Sequence, residues 1–198
     1  MGKGSRYSVP FRRRRKGKTN YLRRKKQIVS KMSRLIVRRS SKHVIAQIVV
    51  SRPNGDDVLV SAHSSELSHF GWRAPCGNVT AAYLTGLLLG YRALKKGILH
   101  AILDIGLQSP TVNSRVFATL KGACQAGLRV PHNEKIFISV SRLRGEHIST
   151  YASSLYSSDP ELFNKMFSSY LSKGLDPTRT MEHVKQVEDK IVSVYMEV

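Results

Sequence analysis

The first acidic residue of this chain is Asp56, and residues 1–42 alone hold seventeen lysines and arginines, a stretch of about +17. Like charges at that density repel one another. The remaining residues hold 16 of the 33 basic side chains against all 13 acidic ones, about +3. The pattern is a basic arm on a near-neutral body. Its densest part, Arg12-Arg13-Arg14-Arg15-Lys16-Gly17-Lys18, places six cations in seven residues, and Arg23-Arg24-Lys25-Lys26 follows. A polyanion neutralises such runs, and RNA or DNA is the commonest one available.

Lys3 and Arg6 extend the charge to the start of the chain, and Tyr7, Phe11 and Tyr21 are interleaved with it. Arginine neutralises phosphate while rings stack on unpaired bases, at roughly 1–3 kcal/mol per base, so the mixture suits RNA. The alternative is that Phe11 and Tyr21 pin the arm to the body. Residues 1–19 contain Gly2, Gly4, Pro10 and Gly17, show no periodicity, and are expected to be an extended tail that orders on binding. Residues 20–33 read as a helix capped by Asn20, with Leu22 and Val29, and Ile28 and Met32, recurring on one side. Its first turn carries Arg23 to Lys26, where the helix dipole disfavours cations. A phosphate backbone across that end would remove the penalty.

From residue 34 the pattern changes to short β-branched runs, 34–39, 43–50 and 58–62, separated by Ser40-Ser41-Lys42 and by Pro53-Asn54-Gly55-Asp56. Three antiparallel strands in a meander follow from these turn signals. Arg38, Arg39, Lys42 and His43 gather at the first hairpin and are candidate RNA contacts. Residues 64–77 read as a loop, in which Trp72 either faces a partner or plugs the sheet edge. Asn78 caps a helix over 79–96, whose Gly86 and Gly90 predict a close helix–sheet contact. A buried strand over 98–104, a helix over 114–126 and a last short strand over 128–131 complete the body. A strand–helix–strand step makes the fourth strand parallel to one already in the sheet. The fold class is α/β, a mixed sheet with three leading antiparallel strands and then helix–strand–helix, a ribonuclease-H-like arrangement. Residues 1–33 form the basic arm and helix, 34–131 the core domain, and 132–198 a mostly helical appendage with segments starting near Arg142, Asp159-Pro160 and Met181.

Catalytic readings fail on residue supply. In ribonuclease-H-like chemistry several carboxylates hold two metal ions; Asp104 ends the fourth strand, but the first strand offers arginines where the leading aspartate should be. Asp104 therefore reads as a cap or loop anchor. The histidines show no HxxxH or Cys–His spacing for zinc, and neither GxSxG nor GxxxxGK[ST] occurs. No catalytic residue, metal or cofactor is expected. Cys76 and Cys124, without a CxxC, read as buried thiols of a reducing cytoplasm. No apolar run approaches the ~18 residues of a membrane span, and no apolar region follows the basic start as in a secretory signal. A basic DNA-binding protein is the alternative, though neither a helix-turn-helix nor a finger pattern is present.

Several separate blocks carry a family resemblance. Gly77-Asn78-Val79-Thr80-Ala81-Ala82-Tyr83-Leu84-Thr85-Gly86, Leu103-Asp104-Ile105-Gly106-Leu107 and Phe117-Ala118-Thr119-Leu120-Lys121-Gly122 are similar to the ribosomal protein eighteen family, the large-subunit proteins that bind 5S ribosomal RNA. Arg6-Tyr7-Ser8-Val9-Pro10-Phe11, with the arginines after it, Ala62-His63-Ser64-Ser65 and Arg144-Gly145-Glu146-His147-Ile148 match as well. The longer arm and helical C-terminal part resemble the archaeal and eukaryotic branch, and the length resembles its archaeal members. The resemblance implies a cytoplasmic, non-catalytic constituent of the large subunit that clamps 5S rRNA onto 23S rRNA in the central protuberance. It implies neighbouring ribosomal proteins too, among them the other 5S-associated one. On matching positions it places Arg12 to Arg15, Tyr21, Arg23 and Arg24 on RNA, and adds Arg144 and His147.

Overall fold

The arm is the first departure from expectation. The computed structural model describes residues 4–196, so Lys3 lies outside the described residues. Arg12–Arg15 form a one-turn helix, α1, within the segment expected to be wholly extended. Helix α2 (Tyr21–Val29) is shorter than the 20–33 predicted, because the chain turns at Ser30 and Lys31 takes a positive φ of 55°. Asn20 Oδ1 caps it, accepting the N–H groups of Leu22 at 3.1 Å and Arg23 at 3.2 Å. Neither helix buries a residue. The recurring apolar side chains Leu22, Ile28, Val29 and Met32 are exposed, so α2 is not held through them.

Alternation of branched and polar residues builds an antiparallel meander of β1 (Arg34–Arg39), β2 (Val44–Arg52) and β3 (Gly55–His63). Arg52 already pairs with Gly55, which leaves Pro53-Asn54 as a two-residue turn. Strand β4 (Ile102–Asp104) runs parallel to β1, and the order is β3-β2-β1-β4. It is shorter than predicted because residues 99–101 turn to Arg129 instead: Ala101 N–H donates to the Arg129 carbonyl at 3.1 Å, and Arg129 N–H to that of Leu99 at 2.9 Å. The expected strand over 128–131 is accordingly a single bridge, His100 with Arg129.

Leu35, Val37, Ala46, Ile48, Val60 and Ala62 are buried on one face of the sheet, where α3 (Val79–Lys95) and α4 (Arg115–Gln125) pack. Asn78 Oδ1 caps α3 by accepting the Ala81 N–H at 2.7 Å. Gly86 lies against the Thr119 carbonyl and Gly122 against that of Tyr83, so a methyl group at either would overlap backbone. The glycine face of α3 thus serves helix–helix contact, not the helix–sheet contact predicted.

The predicted loop 64–77 begins as a 3-10 helix, Ser64–Phe70, opened by a capping box of His63 and Glu66. Trp72 is then 5% exposed and stacks on His183 at 5.2 Å between ring centroids, while Arg73 N–H donates to His183 Nε2 at 3.1 Å. Trp72 is a plug in the body and leaves the set of surface RNA contacts.

The C-terminal part is α5 (Val140–Leu143), α6 (Glu146–Ser158), α7 (Pro160–Met166), α8 (Ser168–Leu171) and α9 (Thr180–Met196). Asp159 Oδ1 accepts the Leu162 N–H at 3.0 Å and Pro160 fits the first position of α7. Ala152, Leu155, Phe163, Phe167, Val184, Val187 and Ile191 join the sheet's own residues in one continuous core. Helix α9 is also fastened to α3 by polar contacts. The Tyr83 hydroxyl lies 2.6 Å from Glu188 Oε1, and burial and that carboxylate raise its pKa. Cys76 and Cys124 are half-buried free thiols, slightly more open than predicted. No helix among the described residues is long and apolar enough to cross a membrane.

Candidate nucleic-acid interface

Strand alternation puts Leu35 and Val37 in the core, so Arg34, Ile36 and Arg38 of β1 point to the opposite face of the sheet. Across it lies α2. Between them is a cleft of about 560 Å³ lined by Arg13, Lys18, Arg23, Arg24, Lys26, Arg34 and Arg38, with Asp56 and Asp104 as its acidic members. Asn20, Gln27 and Gln47 add amides, and Ile36, Leu103, Ile105 and Leu107 an apolar floor.

A chain of ion pairs holds the arm over this face. Arg24 grips Asp56 with two hydrogen bonds, at 2.8 and 3.1 Å. Arg34, with 2% of its side chain exposed, meets Asp56 at 2.7 Å and Asp104 at 3.0 Å, and donates to Ser51 Oγ at 3.1 Å. Arg38 completes the chain, with Nη2 at 3.2 Å from Asp104 Oδ1 and Nη1 donating to the Asp104 carbonyl at 2.8 Å. Burial alone would raise the Asp56 carboxyl, but hydrogen bonds and charge from Arg34 and Arg24 hold it below its usual value. Asp104 also accepts the Gly106 N–H at 2.8 Å, which is the loop anchoring read from the sequence. A further contact runs from Gln27 Nε2 to the Leu103 carbonyl at 3.4 Å.

The other cations are treated differently. Among the described residues, Arg12, Arg13, Arg14, Arg15, Lys16, Lys18, Arg23, Lys25 and Lys26 form no ion pair. All are exposed, as are Arg6 and Tyr7. The Phe11 and Tyr21 rings meet at a tilt, 5.1 Å between centroids, which ties α1 to α2, yet Phe11 remains 71% exposed. At the first hairpin Lys42 is exposed, Arg39 donates to Gln108 Oε1 at 3.0 Å, and His43 Nδ1 sits 3.2 Å from Ser64 Oγ with its ring tilted against His63. Arg24 and Arg38 are therefore partly spent within the protein. Arg34, Asp56 and Asp104 were not among the predicted site residues. Arg34 opens β1 and reads from the sequence as an outward-facing cation, so no local signal marked it.

The sequence matches the family model described as ribosomal large subunit proteins 60S L5 and 50S L18, over residues 5–100 and 95–133. It is also 50% identical, over 196 residues, to the large ribosomal subunit protein uL18 of Caldivirga maquilingensis, a match covering 98% of this chain and 95% of the relative. The chain belongs to this family. Every residue lining the arm cleft falls within the segments matched by the L5 and L18 family model. Arg144 and His147 lie beyond them, and neither lines that cleft. Arg144 is exposed beside a separate cleft of about 450 Å³ with Tyr83, Lys121, His132 and Phe137. At exposed His147, desolvation and the charge of Arg142 lower the pKa, which favours the neutral ring. The family assignment thus makes this a structural protein of the large ribosomal subunit.

Proposed function

We propose that the chain binds 5S rRNA through the arm and the outer face of the sheet, and fastens it to 23S rRNA in the central protuberance. The observation that carries this reading is the contrast within the arm: of the nine cations without an ion-pair partner, Arg13, Lys18, Arg23 and Lys26 line a cleft whose other arginines, Arg24, Arg34 and Arg38, are paired with Asp56 and Asp104. Free cations beside a fixed platform are what a folded phosphate backbone requires. The arm draws RNA in by long-range attraction, releases counterions, and sets its exposed rings against unpaired bases. Arg6, Tyr7, Phe11, Arg12 to Arg15, Lys16, Lys18, Tyr21, Arg23, Lys25 and Lys26 form the main contact. The hairpin residues Arg39, Lys42 and His43 extend it, and Arg144 and His147 supply a second one. The role is that of a binding scaffold, with neighbouring large-subunit proteins, the other 5S-associated one included, completing the surroundings.

Filter binding to 5S rRNA across a salt series tests this. With about eight cations on phosphate, log K falls against log salt with a slope of about −6 to −7. A slope near −2 removes the arm as the main contact, and preference for duplex DNA over 5S rRNA supports a DNA-binding protein instead. Replacing Arg12 to Arg15 by alanine weakens binding by roughly three orders of magnitude or more at physiological salt. It leaves the thermal melt unchanged, because α1 buries nothing.

A further inference from the structure

We propose that helices α6 to α8 form a docking surface for a second protein, one that presents aliphatic side chains flanked by lysine or arginine. The inference rests on membership of a ribosomal family and not on the identity of the RNA. Charge is the first observation. Residues 132–198 hold nine of the 13 acidic side chains but only eight of the 33 basic ones. Between residues 145 and 176 the chain holds Glu146, Asp159, Glu161 and Asp176 against Lys165 and Lys173, with Arg142 beside Glu146 and Arg179 beside Asp176. None of these four carboxylates enters an ion pair among the described residues.

Apolar exposure is the second. Tyr156, Leu162 and Met166 are 63%, 41% and 58% exposed, and a groove of about 580 Å³ runs beside them, lined by Tyr156, Phe163, Leu171 and Leu175 with Asp176 at its edge. Its floor is rigid. Tyr156 meets Phe163 edge-on at 5.3 Å, and Phe163 in turn packs on Phe167 at 5.3 Å, both of the latter being buried. An apolar groove anchored to the core needs little ordering when a partner enters. The groove's lining holds one carboxylate, Asp176, and no lysine or arginine, so it suits an aliphatic segment with a basic residue at that edge. It offers an RNA backbone no counter-charge, and a second copy of the chain would set the same carboxylates against one another.

A photo-crosslinking amino acid at Tyr156 of the full chain, with a separate variant at Phe11, tests this in large subunits isolated from cells that express it. Tyr156 is expected to give a protein adduct whose crosslinked peptide holds lysine or arginine beside aliphatic residues. Leu162→Glu or the pair Glu161→Lys and Asp176→Asn, the latter keeping the cap on the Thr178 N–H, should lower its yield at least about tenfold. These are surface changes that leave the melt intact. An RNA adduct at Tyr156, an adduct to another copy of this chain, no adduct, or a yield indifferent to those variants overturns the proposal. The Phe11 probe is read separately: without an RNA adduct there, the RNA reading fails while the docking surface stands.

Discussion

The two ends of the chain are attached to the same body by opposite means. Helices α1 and α2 bury no residue and are held by the Arg24 and Asp56 pair, one amide contact from Gln27 and a tilted ring pair. Helix α9 sinks Val184, Val187 and Ile191 to 2% exposure or less in the common core. Each such side chain contributes about 1.5–3 kcal/mol, whereas a partly exposed ion pair contributes about 0–1 kcal/mol and weakens with salt. The attachment that competes with phosphate is the reversible one. Fixed apolar packing holds the end that carries its own carboxylates. A polyanion can therefore reorganise the arm without disturbing the fold, because almost none of the fold's free energy lies there.

The largest break in this comparison comes from stranding Arg34. The double variant Asp56→Asn and Asp104→Asn leaves a buried guanidinium without a counter-charge, and is expected to cost about 3–5 kcal/mol, lowering Tm by roughly 10 °C. A loss below about 1 kcal/mol would show that water reaches Arg34 and that the ionic side of the molecule has no deep anchor. Next is Ile191→Ala, expected to cost about 2–5 kcal/mol by leaving a cavity between α9 and the core. Trp72, the only tryptophan, stacks on His183 of α9, so its fluorescence should shift in the same variant while affinity for 5S rRNA stays within about twofold after correction for unfolded protein. If affinity drops with the fluorescence change, the two ends are coupled and the contrast between them is wrong.

The same contrast explains what the sequence disclosed. Arm charge is compositional and needs no tertiary information. The meander was readable because Leu35, Val37, Ala46 and Ile48 alternate with polar or outward-facing neighbours, and α3 because Asn78 precedes an apolar run. Contacts between distant residues were not readable. Arg34 and Asp104 are 70 positions apart, and an arginine in a strand reads locally as an outward-facing cation. Trp72 could be placed inside only by knowing that His183, on the last helix, covers it. Residues 98–101 read as strand because this largely apolar run continues into Ile102 and Leu103, yet Arg129 pairs with Leu99 and Ala101 instead. Gly86 looked like a sheet contact because its true neighbour, Thr119, belongs to a helix predicted separately. The short α1 was missed because four successive arginines argue against helix in isolation, while the contact of Phe11 with Tyr21 holds that turn in place.

The smallest effect is the sharpest probe of the arm. Asp56 has a folded-state pKa below its unfolded value. Its pairing therefore stabilises fully above the unfolded carboxylate value, about 4, and the stabilisation is lost as pH falls through the folded value. Asp56 also meets buried Arg34 at 2.7 Å, and the share that its partly exposed pair with Arg24 gives the arm is only about 0.2–1 kcal/mol. Hydrogen exchange of the α2 amides, corrected for intrinsic rates, should lose protection over that acid window in the wild type, while the core amides of α3 stay protected. Asp56→Asn should show low protection in α2 at neutral pH and no further change on acidification. It should bind 5S rRNA with nearly the same salt slope, because the nine unpaired cations are untouched, but more weakly by a fewfold factor, since the arm must now be ordered on binding. If α2 protection in Asp56→Asn equals that of the wild type at pH 7, the helix is held by Gln27 and the ring pair. The arm would then be a fixed part of the body, and RNA would meet a preformed surface in place of a reversible tether.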